Sequence, residues 1–280
     1  MIEVAPVEPK DLPAVCSVVE TSFGRPGMGD RIRDLYALQP GLWFCTRKLE
    51  RIAGAVGGFS YGTSASIGML GVVPEAQGQG LGLALMQHIL AVLDAAGCLS
   101  IFLEASASGA QLYPRLGFAA GGKTLRMGNP GYAPAAWPGG VVRPMGPADL
   151  PAVTALDGRI LGAGRPEVIH QIHARCPGRA FVTYDPAGNL EGYLFAEPSH
   201  IGPWSALSPA AAEPLLRAGL SLPYDDEPRL TFPSENAACG ALLATYGFVE
   251  FERLLHMRRG GESDPRQVRC LYGQASLSLG

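Results

Sequence analysis

Gly78, Gly80 and Gly82 follow Val72-Val73-Pro74-Glu75-Ala76-Gln77, where an apolar run ends and a helical period begins. Successive backbone N–H groups at such a turn converge on one point, and the positive end of the following helix dipole reinforces them. Missing Cβ atoms let an anion come close. The chemistry on offer is phosphate binding, and spacing excludes two common forms of it. No Gly-Lys-Ser/Thr closes the loop, as in a P-loop, and the glycines come too late for a dinucleotide-binding turn. Metal chemistry has less support. His170 and His173 are three apart on a helical stretch, but no third ligand stands near them and no CxxC pair exists.

The elements that must hold the loop can be traced on either side. Asp11 is placed to cap a helix running toward Phe23, with Pro13 in its first turn. Residues 42–46 and 52–61 have the pattern of strands about a polar turn, and residues 66–73 form a third strand stopped by Pro74. Beyond Gly80, Leu81, Leu85, Ile89, Val92 and Ala96 recur at helical spacing, and Gly97 ends the helix. Residues 99–103 make the next strand, followed by a short helix near 110–116 and a last strand from Phe118.

The same order of elements is announced twice. Val4-Ala5-Pro6-Val7-Glu8-Pro9-Lys10-Asp11-Leu12-Pro13-Ala14-Val15 returns as Val142-Arg143-Pro144-Met145-Gly146-Pro147-Ala148-Asp149-Leu150-Pro151-Ala152-Val153. Gly24-Arg25-Pro26 is matched by Gly164-Arg165-Pro166, Leu116-Gly117-Phe118 by Tyr246-Gly247-Phe248, and Leu125-Arg126-Met127 by Leu255-His256-Met257. Two copies of one fold are expected, at residues 1–128 and 141–260. A Pro- and Gly-rich linker at 129–140 joins them, and a tail at 261–280 is apolar enough to pack back. The length of 280 residues suits two domains, and 47% hydrophobic against 17% charged residues supplies their cores.

Composition also excludes partners. A net charge of −3 without a basic run gives nucleic-acid phosphates nothing to bind. No apolar run reaches the ~18–20 residues of a membrane span, and the first residues lack the pattern of a signal peptide. The six cysteines are scattered, as small core residues of a reducing compartment would be. A cytoplasmic protein, monomeric or homodimeric, is expected.

The loop and one further segment resemble the GNAT superfamily of N-acetyltransferases. Val72, Pro74, Gln77, Gly80 and Gly82 fall on that family's acetyl-CoA pattern, and Leu112-Tyr113-Pro114-Arg115-Leu116-Gly117-Phe118 on its Leu-Tyr-x-x-Leu-Gly-Phe. The resemblance implies an α/β (α+β) fold: two tandem acyltransferase folds, each a mixed, mostly antiparallel sheet flanked by helices. It implies that the backbone of Gln77, Gly78, Gln79, Gly80, Leu81 and Gly82 holds the pyrophosphate of acetyl-CoA. The strand carrying Leu70, Val72 and Val73 would pair with the pantetheine arm, in a slot whose other wall is residues 99–103. Tyr113 would protonate the departing thiolate, a task suited to a phenol that stays protonated at neutral pH. Backbone N–H near Val72 would hold the oxyanion. Ser106 stands where relatives often place an asparagine on the pantetheine. Glu104 is the candidate base, and Glu20, Asp30 and Asp34 lie where this fold builds its acceptor site.

The second copy lacks the cradle. After Gly202-Pro203-Trp204 it has Ser208-Pro209-Ala210-Ala211-Ala212, and Leu243 replaces the tyrosine. This resembles tandem GNAT proteins with an intact first domain and a diverged second one, and Trp204 becomes a candidate lining of the acceptor pocket. The expected activity is transfer of acetyl from acetyl-CoA to a primary amine on a small molecule or peptide, with no metal. A longer acyl-CoA, or a non-catalytic acetyl-CoA sensor or scaffold, are the alternatives.

Overall fold

The computed structural model describes residues 2–106, 109–137, 139–261 and 264–280; Pro138 of the expected linker and residues 262–263 of the expected tail lie outside them. The first repeat runs β1 (Val4–Pro6), α1 (Leu12–Phe23), α2 (Gly29–Leu38), β2 (Trp43–Lys48), β3 (Arg51–Tyr61) and β4 (Ser64–Val72). It continues with α3 (Leu81–Ala95), β5 (Ser100–Ala105), a 3-10 turn (Tyr113–Leu116) and β6 (Ala119–Gly128). The second repeats that order. It comprises β7 (Val142–Pro144), α4 (Leu150–Leu161), α5 (Pro166–Arg175), β8 (Ala180–Tyr184), β9 (Leu190–Glu197) and β10 (His200–Ala206). Then come α6 (Pro209–Gly219), β11 (Arg229–Pro233), α7 (Ala237–Thr245) and β12 (Val249–Arg259), and a short β13 (Leu271–Gly273) closes the series.

Local patterning accounts for many of these elements; α2 was not among the expected ones, and two further details differ. The buried face of α3 is Leu81, Leu85, Met86, Ile89, Leu90 and Leu93, whereas Val92 is half-buried and Ala96 lies beyond the helix. Steps of four overshoot a turn of 3.6 residues, so the stripe drifts off Val92 and Ala96. Asp11 precedes α1 without capping it. Its carboxylate accepts from the Glu8 N–H at 3.1 Å and from Arg47 at 2.8 Å, closing the preceding 3-10 turn instead.

The thirteen strands form one sheet in the order β1-β2-β3-β4-β5-β12-β6-β11-β10-β9-β8-β7, with β13 added on β10. Only β4–β5 and β10–β11 pair in parallel among the described strands. The last strands of the repeats are exchanged. β12, from the second repeat, lies antiparallel to first-repeat β5, while β6 pairs with β12 and β11. The sequence boundary between the repeats is therefore not a boundary in the sheet. One core cluster joins α1 and α2 to α4, α5 and tail residues Leu271, Ala275 and Leu279. A second packs α3 against the first-repeat strands, and a third packs α6 and α7 against the second.

Candidate active site

Parallel pairing of β4 with β5 runs from Ser64–Ser100 to Ile67–Leu103 and stops. Beyond it β4 stays on β3 through a register shift near the left-handed Met69, and β5 stays on β12. The two strands separate, and the slot between them leads to the Gly-rich loop. There a 3-10 turn, Pro74–Ala76, delivers the chain to Gly78 and Gly80, whose φ angles of 71° and 84° are left-handed. Glycine adopts this conformation without the steric penalty that a Cβ brings. Gly80 begins α3 with no side-chain cap, so its first N–H groups stay open to a ligand. A Cβ on Gly78 would meet nothing within 4 Å, so the cradle has free space in front of it. Pyrophosphate fits these residues.

The glutamines do not reach toward that space. Gln77 Nε2 donates to Val72 O at 3.0 Å and Gln79 Nε2 to Glu75 O at 2.9 Å, both fastening the loop to itself. Gln79 Oε1 accepts from Lys48 Nζ at 2.7 Å, which brings a cation beside the cradle. Leu81 is buried against Ala53 and Ala76, Leu70 and Val72 pack on the α3 core, and Val73 covers the Leu81 cluster. Their contribution to the slot is backbone. The oxyanion donor is expected among the backbone N–H groups near Val72; that of Val72 itself donates to Ser22 Oγ at 3.3 Å, where α1 lies over this end of β4.

Tyr113 is buried, its ring edge-on to Phe118 with centroids 5.9 Å apart. Gly109 abuts it: a Cβ there would lie 3.3 Å from the hydroxyl, and Gly109 N–H donates to Ser106 Oγ at 3.3 Å. The Tyr113 hydroxyl bonds to no other described residue. Burial pushes its pKa up to about 12. Alternation along β5 sends Leu103 and Ala105 into that α3-side core and Glu104 to the other face. Glu104 lines a cavity of about 40 Å³, shared by Ser64 and Ser66 of β4, Leu161 and Ala163 of the second repeat, and Gln274 and Leu279 of the tail. Strand exchange sets His256 of β12 directly opposite Glu104. The His256 Nδ1–H donates to Glu104 Oε1 at 2.9 Å, while Arg266 Nη2 donates to His256 Nε2 at 2.7 Å. Sequence reasoning missed His256, Arg266 and Gln274, since no local spacing joins residues this far from Glu104.

Two comparisons bear on this geometry. Residues 12–118 match the model of the acetyltransferase (GNAT) family, and residues 153–273 that of an acetyltransferase (GNAT) domain. The chain belongs to the GNAT acetyltransferases, as a tandem of two such domains. No curated protein matches it. Among solved structures it is similar to a Pyrococcus horikoshii protein described as an acetyltransferase, with a TM-score of 0.87 at 21% identity over 100% of this chain and 96% of that one. A GCN5-related N-acetyltransferase from Sphaerobacter thermophilus gives 0.70 at 17%, covering 95% and 98%. A tandem GNAT protein from the clavulanic acid biosynthesis pathway gives 0.63 at 16%, covering 94% and 100%. At these identities the likeness is one of fold.

The second GNAT repeat builds the same slot and fills it. β10 and β11 share a single parallel pair, His200–Arg229, before they separate. Into the gap the tail inserts β13, with Trp204 opposite Gly273 and Ser205 opposite Leu271. The Gln274 N–H donates to Thr231 O at 2.8 Å on the β11 side. Asn236 occupies the position corresponding to Ser106, and its Nδ2 donates to Leu271 O at 2.9 Å. Leu243, where the tyrosine would be, is fully buried.

Four acceptor-site candidates fall elsewhere. Trp204 is wholly buried against Tyr272 in the second repeat's core, because its strand faces the tail rather than the cavity. Asp30 is fully exposed and pairs with Arg33 one turn along α2. Glu20 lies on α1 toward Gly29, away from the residues around Glu104. Asp34 pairs with Arg175 across the repeats. His170 is exposed and His173 half-buried on α5, and no group of three metal-ligating side chains occurs among the described residues.

Proposed function

We propose that this chain transfers an acetyl group from acetyl-CoA to a primary amine, at one site per chain in the first repeat. The observation that carries the reading is the contrast between the repeats: the slot between β4 and β5 leads from an uncapped, glycine-lined helix start to a buried tyrosine, while its twin is filled by β13. Backbone N–H groups of residues 78–82 would hold the pyrophosphate, with Lys48 adding charge beside them. Acetyl-CoA supplies the activated acyl group.

Each residue of the chain then has one task. The backbone of the bulge at Met69 and Leu70 receives the developing oxyanion, since the Val72 N–H is already held by Ser22. Tyr113 gives its proton to the departing thiolate from a hydroxyl that burial keeps neutral. Glu104, on the opposite face of β5, receives the proton of the attacking amine. A buried carboxylate held by hydrogen bonds on one oxygen keeps the other free for this purpose. The test is a thiol-release assay of a panel of primary amines with acetyl-CoA. Amine-dependent release that is lost in Glu104→Gln supports the assignment. Absence of amine-dependent release, with acetyl-CoA bound, would reject it.

A further inference from the structure

A larger cavity, of about 380 Å³, lies where the linker after β6 crosses the end of α6 and the turn from α7 into β12. Asn129, Ala133, Ala136, Arg217, Leu220 and Tyr246 border it, and none of the residues placed at the cofactor slot or beside Glu104 does. Cavities that hold small ligands run from about 300 to 1,000 Å³. The linker is fastened over this one. The Asn129 N–H donates to Pro228 O at 3.2 Å, the Tyr132 N–H to Asn129 O at 3.1 Å, and the Tyr132 hydroxyl to Leu220 O at 3.3 Å.

Two side chains here keep bonding capacity that the protein does not use. Asn129 is only 6% exposed, and its Nδ2 donates to Tyr246 O at 2.8 Å. A carbonyl only accepts, so that bond fixes the amide with Oδ1 turned the other way. Oδ1 has no partner among the described residues. Unlike the sealed indole N–H of Trp204 it is open to solvent, which at this position means the cavity. Arg217 is the second. Glu213 stands one turn before it on α6, the spacing at which the two would pair. Glu213 instead accepts from the Tyr246 hydroxyl at 2.8 Å, and Arg217 has no ion pair among the described residues.

We propose that this cavity is a second binding site, for a small carboxylate with an amide N–H beside it and an apolar body, the chemistry of an N-acylated amino acid. The Arg217 guanidinium takes the carboxylate, whose two oxygens match its planar fork. Asn129 Oδ1 accepts the amide N–H, and as an oxygen that cannot donate it disfavours a ligand with an acceptor at that point. Ala133, Ala136 and Leu220 cover the apolar part. Ala133, Ala135 and Ala136 enter no backbone hydrogen bond among the described residues, so their N–H groups remain available to the same ligand. The site stands apart from acetyl transfer and does not depend on that reading.

The experiment titrates the full-length protein, without acetyl-CoA, with three matched probes followed by calorimetry or ligand-observed NMR. They are N-acetyl-L-leucine, its neutral amide N-acetyl-L-leucinamide, and N-acetyl-N-methyl-L-leucine, which lacks the N–H. The acid should bind one per chain, at least about ten-fold more tightly than the amide, because a hydrogen bond to a charged group outweighs a neutral one. The N-methylated acid should bind about five-fold more weakly or worse, since it leaves Asn129 Oδ1 unpaired. Arg217→Gln should erase the difference between acid and amide, and Ala136→Trp, which fills the cavity, should abolish binding. Both positions are exposed, so neither change threatens the fold, and acetyl-CoA affinity should hold in both. No saturable binding of the acid, or equal binding of acid and amide, in the unmodified protein overturns the proposal. Undiminished binding of the acid in Arg217→Gln or Ala136→Trp also overturns it, by placing the ligand elsewhere. Equal binding of the N-methylated acid overturns the role of Asn129.

Discussion

Tyr113 carries a hydroxyl that no other described residue holds, beside Gly109, while its ring packs on Phe118 in the α3-side core. Burial disfavours the phenolate, so the group remains an acid until pH approaches about 12. Two outcomes follow at this scale. Tyr113→Phe keeps the ring packing, and should lower turnover by about ten-fold or more while acetyl-CoA affinity stays within error. Equal turnover would give the thiolate's proton to another donor. The pH dependence has a definite sign: raising pH depletes the acid form only near its elevated pKa. The kcat profile should therefore show no tyrosine-dependent alkaline loss up to about pH 10. A fall centred near neutrality that disappears in Tyr113→Phe would contradict the buried, neutral phenol.

At the scale of elements, the loop between β4 and α3 works through its backbone. Its glutamines fasten it, and its left-handed glycines keep the approach open. Gly80→Glu places a carboxylate at the start of the helix, where the dipole and N–H groups would otherwise attract phosphate. Calorimetry on the folded variant should show acetyl-CoA binding essentially abolished; retained affinity would move the cofactor elsewhere. The second loop, leading into α6, is capped by Ser208, whose side chain accepts from the Ala211 N–H at 3.2 Å. A helix start whose donors are already engaged has less to offer an anion.

At the scale of the molecule, the exchange of β6 and β12 makes each repeat complete the other's sheet. Residues 1–128 expressed alone would lack β12, one of the two neighbours of β5, and leave β6 without either neighbour. That fragment should fail to fold as a monomer, and co-expression with residues 129–280 should recover a soluble complex, checked by size exclusion and circular dichroism. A folded, monomeric fragment would show that the exchange is dispensable. The filled second slot sets the stoichiometry. One acetyl-CoA per chain is expected by calorimetry, eliminated by Gly80→Glu alone, and two sites would mean that β13 yields its place.

Most of what was local was legible in the residues themselves, though not the role of Asp11 or the exact buried stripe of α3. The cradle at residues 77–82, the tyrosine motif and the repeat of elements rest on spacings of a few residues, because helix and strand periods are properties of neighbouring backbone. The loss of the second cradle and Leu243 in the tyrosine's place were visible for the same reason. What only the tertiary structure decided were contacts between distant segments. Glu104 and His256 lie 152 residues apart, and nothing near either one announces the other. They meet because a strand edge pairs with whichever complementary edge the collapsed chain presents, and here that edge comes from the other repeat. The tail's entry between β10 and β11 follows the same rule. It settled Trp204 as well: a tryptophan that seemed placed for a substrate is instead covered by Tyr272, because open backbone groups and apolar surface in that slot were satisfied by the chain's own last strand.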